Sequence, residues 1–236
     1  LIDKARKYLR ILCDEIPERC VGSEGNRLAT SFFSNELSRL KWQTESAEFS
    51  AIDWIDGGAE LTIGGKLFEV LVSPYSLGCS AEAELVGAKN ISELENQALG
   101  GKIVLLHGEI AKEQLMPKNF VFYNPEEHQR IVSLLENSGA AALVCATGRN
   151  ASLAGGVYPF PLIEDGDFDV PSVYMTEEEG KKLLPHIGEK AVLKSFSERI
   201  PGVGYNVLGR KGLDAERIVV TAHIDSKKGS PGAIDN

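Results

Sequence analysis

Apolar positions at the start of the chain recur at helical spacing. Ile2, Ala5, Leu9, Leu12 and Ile16 predict an amphipathic helix over 3–16, with Pro17 as its stop. A short loop, Arg19-Cys-Val-Gly22-Ser23-Glu24-Gly25, leads to a second predicted helix whose stripe is Leu28, Ala29, Phe32, Phe33, Leu37 and Leu40. From 42 to 54 the pattern becomes extended. Residues 61–63 and 66–72 flank Gly64-Gly65, a two-residue hairpin signal. Further strands are predicted at 83–86, 103–107, 141–145 and 170–175, and helices at 91–99, 126–138 (Ile131, Leu134 and Leu135 inward) and 177–185. After Pro201-Gly202 a strand is predicted at 205–209, then a polar turn at 210–216 and a strand at 217–222. So short a link predicts antiparallel neighbours. The chain shows no internal repeat or low-complexity segment.

Composition narrows this picture little. The 236 residues are 43% hydrophobic and 25% charged, ordinary for a globular protein. The net charge of −9 argues against nonspecific binding to nucleic acid or an anionic membrane. No apolar run approaches the length of a membrane span. Compartment stays open between a secreted or periplasmic protein whose upstream segment has been removed and a cytoplasmic one. Cys13, Cys20, Cys79 and Cys145 form no CxxC pair and read as small hydrophobes. Asn90-Ile-Ser92 and Asn150-Ala-Ser152 fit the glycosylation acceptor pattern.

The chemistry concentrates in the last nineteen positions, 218–236. Ile218-Val219-Val220-Thr221-Ala222 has the composition of a buried strand, apolar on both faces. Alternation along a strand puts Thr221, His223 and Asp225 on one face, at the C-terminal end where open α/β sheets bind ligands. Gly229, Pro231 and Gly232 then allow a sharp return that brings Asp235 beside His223. An imidazole nitrogen and a carboxylate oxygen are common zinc ligands, and Asp225 can orient the ring from behind. The same residues also occur as an ordinary polar strand end followed by turn chemistry.

Other candidates carry less. Gly202-Val-Gly204 lacks the third glycine of a dinucleotide fingerprint, and no P-loop or GxSxG elbow is present. Asp165, Asp167 and Asp169 alternate like the start of a calcium loop, but Val170 stands where the loop needs glycine, so a solvated acidic loop is the better reading. His107, His128 and His186 lack companions at ligand spacing.

His223-x-Asp225-Ser226 followed by Gly229-Ser-Pro-Gly-Ala-x-Asp235-Asn236 resembles the signature of the co-catalytic zinc aminopeptidases. That family includes leucyl aminopeptidases, glutamate carboxypeptidases and the catalytically dead transferrin receptors. Gly22-Ser-Glu-Gly25-Asn26-Arg27 resembles its N-terminal region. The resemblance implies a zinc-dependent exopeptidase, most simply an aminopeptidase acting on peptide substrates. It implies two zinc ions in the complete enzyme, with His223 on one, Asp235 bridging both, and Asp225 fixing the His223 ring. It places the remaining ligands and the general-base Glu beyond Asn236, so a partner segment of the same protein is expected. The segments 83–87, 101–106 and 136–144 resemble a protease-associated (PA) domain, which the family carries as an insertion covering or shaping the substrate cleft.

The expected fold is therefore α/β: a zinc-peptidase mixed sheet with flanking helices, incomplete here, formed by 1–43 and 199–236. An inserted α/β PA-like domain would occupy 44–198. Two rival functions stay open: a non-catalytic receptor on the same fold, and a fragment acting only through its PA-like domain. Carboxypeptidase, dipeptidase and glutaminyl cyclase activities also occur on the fold. Side-chain preference and oligomeric state are not legible.

Overall fold

Ile103–Leu106 is four consecutive aliphatic residues, so a strand there must be covered on both faces. A computed structural model, which describes residues 2–147, 166–212, 218–227 and 230–233, places it so. The chain divides into two compact units, Leu1–Asp53 with Ile200–Asn236, and Trp54–Arg199. The strands in chain order are β1 Gln43–Ile63, β2 Lys66–Phe68, β3 Leu71–Val72, β4 Cys79–Ala88, β5 Ile103–Leu106, β6 Ala142–Thr147, β7 Ser172–Thr176 and β8 Lys190–Arg210. They form one sheet in the order β2-β1-β8-β4-β5-β6-β7-β3. The β4-β5-β6-β7 core is parallel, while β2, β3 and β8 pair antiparallel with β1, β7 and β4. This is a mixed sheet.

The second unit is built around that parallel core. Ile103 and Leu105 of β5 point into one apolar layer with Leu61, Phe68, Leu85, Val144 and Leu193. Val104 and Leu106 point into the other, with Leu94, Ile131, Leu135 and Leu143. Helices α3 (Ile91–Asn96) and α4 (Glu126–Asn137) supply Leu94, Ile131 and Leu135 to the second layer. Helix α5 (Glu177–Leu183) supplies Leu183 to the first. Gly64 and Gly65, at φ 56° and 80°, make the predicted hairpin turn between β1 and β2.

Polar groups that looked like candidates serve the fold. Asn90 caps α3, its side chain accepting from the Glu93 N–H at 2.9 Å. Asp167 pairs with Lys118 at 3.4 Å and Asp169 with Arg199 at 2.6 Å, while Asp165 lies outside the described residues. His128 Nδ1 accepts from the Met116 N–H at 3.1 Å, and His186 lies 3.1 Å from Glu189. The second acceptor pattern, at Asn150, also lies outside the described residues. All four cysteines are free thiols, Cys20 and Cys145 buried. Burial alone pushes the Cys145 thiol well above its ordinary range.

In the first unit, helix α1 (Ile2–Leu9) continues as a wider π-helical segment, Arg10–Glu15, where one regular helix is predicted. Helix α2 (Glu24–Arg39) begins at Ser23, whose hydroxyl accepts from the Asn26 N–H at 3.1 Å. Its buried residues are Asn26, Ala29 and Thr30. The predicted stripe is half uncovered, with Leu28 51%, Phe33 43% and Leu40 47% exposed.

Two further expectations are corrected. The sequence predicts a strand only at 205–209, but β8 is one strand through Lys190–Arg210, continuing across Pro201-Gly202. Proline and glycine ordinarily punctuate strands. Here the alternation Ala191, Leu193, Ser195, Ser197 keeps the first half paired and buried. Over the described residues 218–222 the predicted buried strand is not formed, while residue 217 and most of the predicted turn, 213–216, lie outside the described residues. Ile218, Val219 and Val220 are 95%, 81% and 87% exposed. β-branched residues favour an extended backbone, but a strand exists only where a neighbour completes its ladder. No described residue supplies one.

Gly180 of α5 gives a test of this packing. Alanine there improves helix propensity by about 1 kcal/mol. Its Cβ, however, would stand 2.3 Å from the Ala146 Cβ on β6. Overpacking of that kind costs about 1–3 kcal/mol. Gly180→Ala is expected to lower the urea midpoint despite the propensity gain. Adding Ala146→Gly is expected to recover part of the loss.

Candidate metal centre

The local turn that carries the site depends on one glycine. A Cβ on Gly25 would lie 1.8 Å from the Glu18 carbonyl oxygen, so no side chain fits while this loop stays folded against the start of α2. Asn26 and Arg27 fasten it from the helix, Asn26 Nδ2 donating to the Arg19 carbonyl at 3.3 Å and Arg27 Nη1 to Gly22 at 2.6 Å.

Arg19 is 4% exposed, and among the described residues its side chain bonds backbone oxygens alone. Nη1 donates to Ile16 at 3.1 Å and to Leu12. Both carbonyls belong to the C-terminal end of the first helical stretch, where the backbone dipoles favour a cation. Nε donates to the Ile224 carbonyl at 2.8 Å and Nη2 to Pro231 at 3.0 Å. The same residue's carbonyl accepts from the Ser226 N–H at 3.4 Å, and Ser226 Oγ donates to Pro17 at 3.5 Å. Ile224, Ser226 and Pro231 are thereby held by the loop that precedes α2.

His223 and Asp225 are brought together by this loop and not by the strand alternation expected for them. His223 Nδ1 lies 3.2 Å from Asp225 Oδ1. Their side chains are 46% and 36% exposed. In the neutral ring, a hydrogen bond to an ionised carboxylate, which only accepts, puts the proton on Nδ1 and leaves the lone pair on Nε2. Thr221, His223 and Asp225 line a cavity of ≈ 690 Å³ together with Asn26, Phe33, Phe49 and Tyr205. Tyr205 is tied to Glu48 at 2.7 Å, and that bond raises the phenol's pKa above its ordinary value. Phe49 lies under Gly204, whose Cβ would meet the ring at 2.5 Å.

Asp235 and Asn236 lie outside the described residues. Among the described residues no cluster of three or more His, Cys, Asp or Glu can hold a metal ion. The donor chemistry present, an imidazole backed by a carboxylate, is that of a zinc-binding histidine. Sequence reasoning passed over Arg19. Its partners stand 205 and 212 positions away, and no local pattern signals a contact of that range.

No family model matches the chain. It is 25% identical, over 92% of its length and 42% of the other's, to the probable lipoprotein aminopeptidase LpqL of Mycobacterium tuberculosis. Its fold matches an aminopeptidase from Aneurinibacillus sp. strain AM-1, with TM-score 0.67 and 21% identity over 98% of this chain and 54% of that one. The zinc aminopeptidase BSAP from Bacillus subtilis matches with TM-score 0.64 and 19% identity, over 98% and 53%. A peptidase M28 precursor from Shewanella amazonensis matches with TM-score 0.67 and 18% identity, over 98% and 56%. The chain thus has the fold of these aminopeptidases, a mixed sheet flanked by helices, and spans about half their length. Among the described residues no helix is long and apolar enough to cross a membrane.

The His223–Asp225 contact makes a spectroscopic prediction. In the neutral ring, the ¹⁵N shifts of His223 are expected to report the Nδ1–H tautomer. Asp225→Ala is expected to move the population toward Nε2–H. An unchanged tautomer would mean that Asp225 does not set the ring.

Proposed function

We propose that this chain is part of a zinc-dependent exopeptidase, an aminopeptidase that hydrolyses N-terminal residues of peptides, with residues 44–198 as its inserted PA-like domain, a span that overlaps the compact unit Trp54–Arg199. The observation that carries the reading is the 3.2 Å contact between His223 Nδ1 and Asp225 Oδ1 beside an open cavity. The likeness of fold and the spacing from His223 to Asp235 support it.

In this reading His223 would hold zinc through Nε2, and Asp235 would be the second ligand from this chain. Asp225 does not bind metal. It accepts the Nδ1 proton, which fixes the tautomer and the ring plane and makes the imidazole a better donor. Bound zinc supplies a Lewis acid that lowers the pKa of coordinated water to roughly 7 and offsets charge on the carbonyl oxygen under attack. The proton-accepting Glu and the remaining ligands are assigned to polypeptide beyond Asn236, and to no residue here. The exposed run Ile218–Val220 is consistent with this, since a neighbouring strand would cover it.

The test is made on the protein expressed from its full coding sequence. Stoichiometric zinc and hydrolysis of aminoacyl substrates are expected. His223→Ala is expected to lose about one zinc per chain and to abolish hydrolysis. Unchanged zinc content and activity in that variant would refute the assignment.

A further inference from the structure

Resting on the zinc reading above, we infer that Arg19 is a positioning residue for the metal centre. It sets the separation between the two limbs that carry His223 and Asp235. Ile224 sits between His223 and Asp225 in the chain, and Pro231 precedes Asp235 by four positions. One planar guanidinium holds both carbonyls, at 2.8 Å and 3.0 Å. The loop between them has a described internal backbone bond, Ser230 N–H to Lys227 at 3.0 Å. Residues 218–222 before it have no ladder.

A second observation comes from the loop's own backbone. Gly232 has φ +61°, and a Cβ there would stand 3.0 Å from Arg19 Nη2 and 3.1 Å from Ser226 Cβ. The return limb is therefore pressed against the guanidinium, and glycine permits both the conformation and the approach. Lysine cannot replace the arginine. Its single ammonium has no rigid fork with which to hold two separate chain segments in one plane. The other pair of bonds, to Leu12 and Ile16, fixes the guanidinium itself. The geometry of the ligand loop is thus referred to the end of the first helical stretch.

The experiment compares wild type, Arg19→Lys and Gly232→Ala in the protein from the full coding sequence. Zinc affinity is measured by chelator competition, and amide hydrogen exchange of 224–232 is measured without metal. Arg19→Lys is expected to weaken zinc binding tenfold or more, in the range of about 10–100-fold typical of residues that orient metal ligands. It is also expected to raise exchange at Ser226 and Ser230 while the second unit's amides stay protected. Gly232→Ala, which leaves the arginine in place, is expected to change both readouts in the same direction. It keeps the inference testable if Arg19→Lys fails to fold. Zinc affinity equal to wild type in a folded variant would overturn the inference and leave the zinc reading intact. Wild-type protein that binds no zinc would overturn the zinc reading and this positioning role together. Exchange at 224–232 would then show separately whether the arginine orders the loop.

Discussion

A guanidinium enclosed by four backbone carbonyls joins the ends of the first unit's sequence. Burying a cation costs several kcal/mol unless its donors are satisfied. Arg19 meets that cost with carbonyls that would otherwise be left over, two at a helix terminus and two in a loop without a ladder. The arrangement is self-consistent in both directions. Ile224 and Pro231 are fixed because the cation needs their carbonyls, and the cation is tolerated because they supply them. Asp225 and His223 inherit their placement from it. The capped turn at Ser23 and the close approach at Gly25 matter for the same reason, since they hold Arg19 where it can reach.

The two units differ in how they are stabilised. Trp54–Arg199 is organised by a parallel core covered on both faces, the ordinary solution for strands such as β5 and β6. The first unit has few fully buried apolar side chains, Cys20 and Ala29 among them. Its described residues are tied by polar contacts: Tyr8 to Glu36 at 2.6 Å, Tyr205 to Glu48, Arg210 to Glu45 at 2.8 Å, and Arg19 to the loop. The Tyr8 hydroxyl, and after it Arg39, holds the Glu36 carboxyl below its usual range. Exposed Leu28, Phe33 and Ile218–Val220 leave apolar surface uncovered in the same unit. The proposed function assigns their covering to polypeptide outside this chain.

Much of the second unit was legible in the sequence because its signals are local. Two glycines between Leu61-Thr62-Ile63 and Lys66-Leu67-Phe68 specify a hairpin, and four aliphatic residues in a row specify an interior strand. β8 was not legible over its full length, because Pro201-Gly202 outweighs a serine-rich alternation whose burial depends on β4. The run 218–222 failed in the opposite sense. Its composition is that of a strand needing two neighbours, and among the described residues none completes a ladder there. At the site, His223 and Asp225 stood out by residue type and spacing, but the strand alternation expected to pair them is not what holds them. Arg19 did not stand out, since its role rests on carbonyls of residues whose identities do not matter to it.

The measurement that bears most directly on this picture is an anomalous difference map at the zinc edge, from crystals of the protein expressed from its full coding sequence. The expected result is a peak bonded to His223 Nε2, with Asp225 on Nδ1 and Arg19 still bridging Ile224 and Pro231. A zinc peak elsewhere, with His223 outside its coordination sphere, would contradict it.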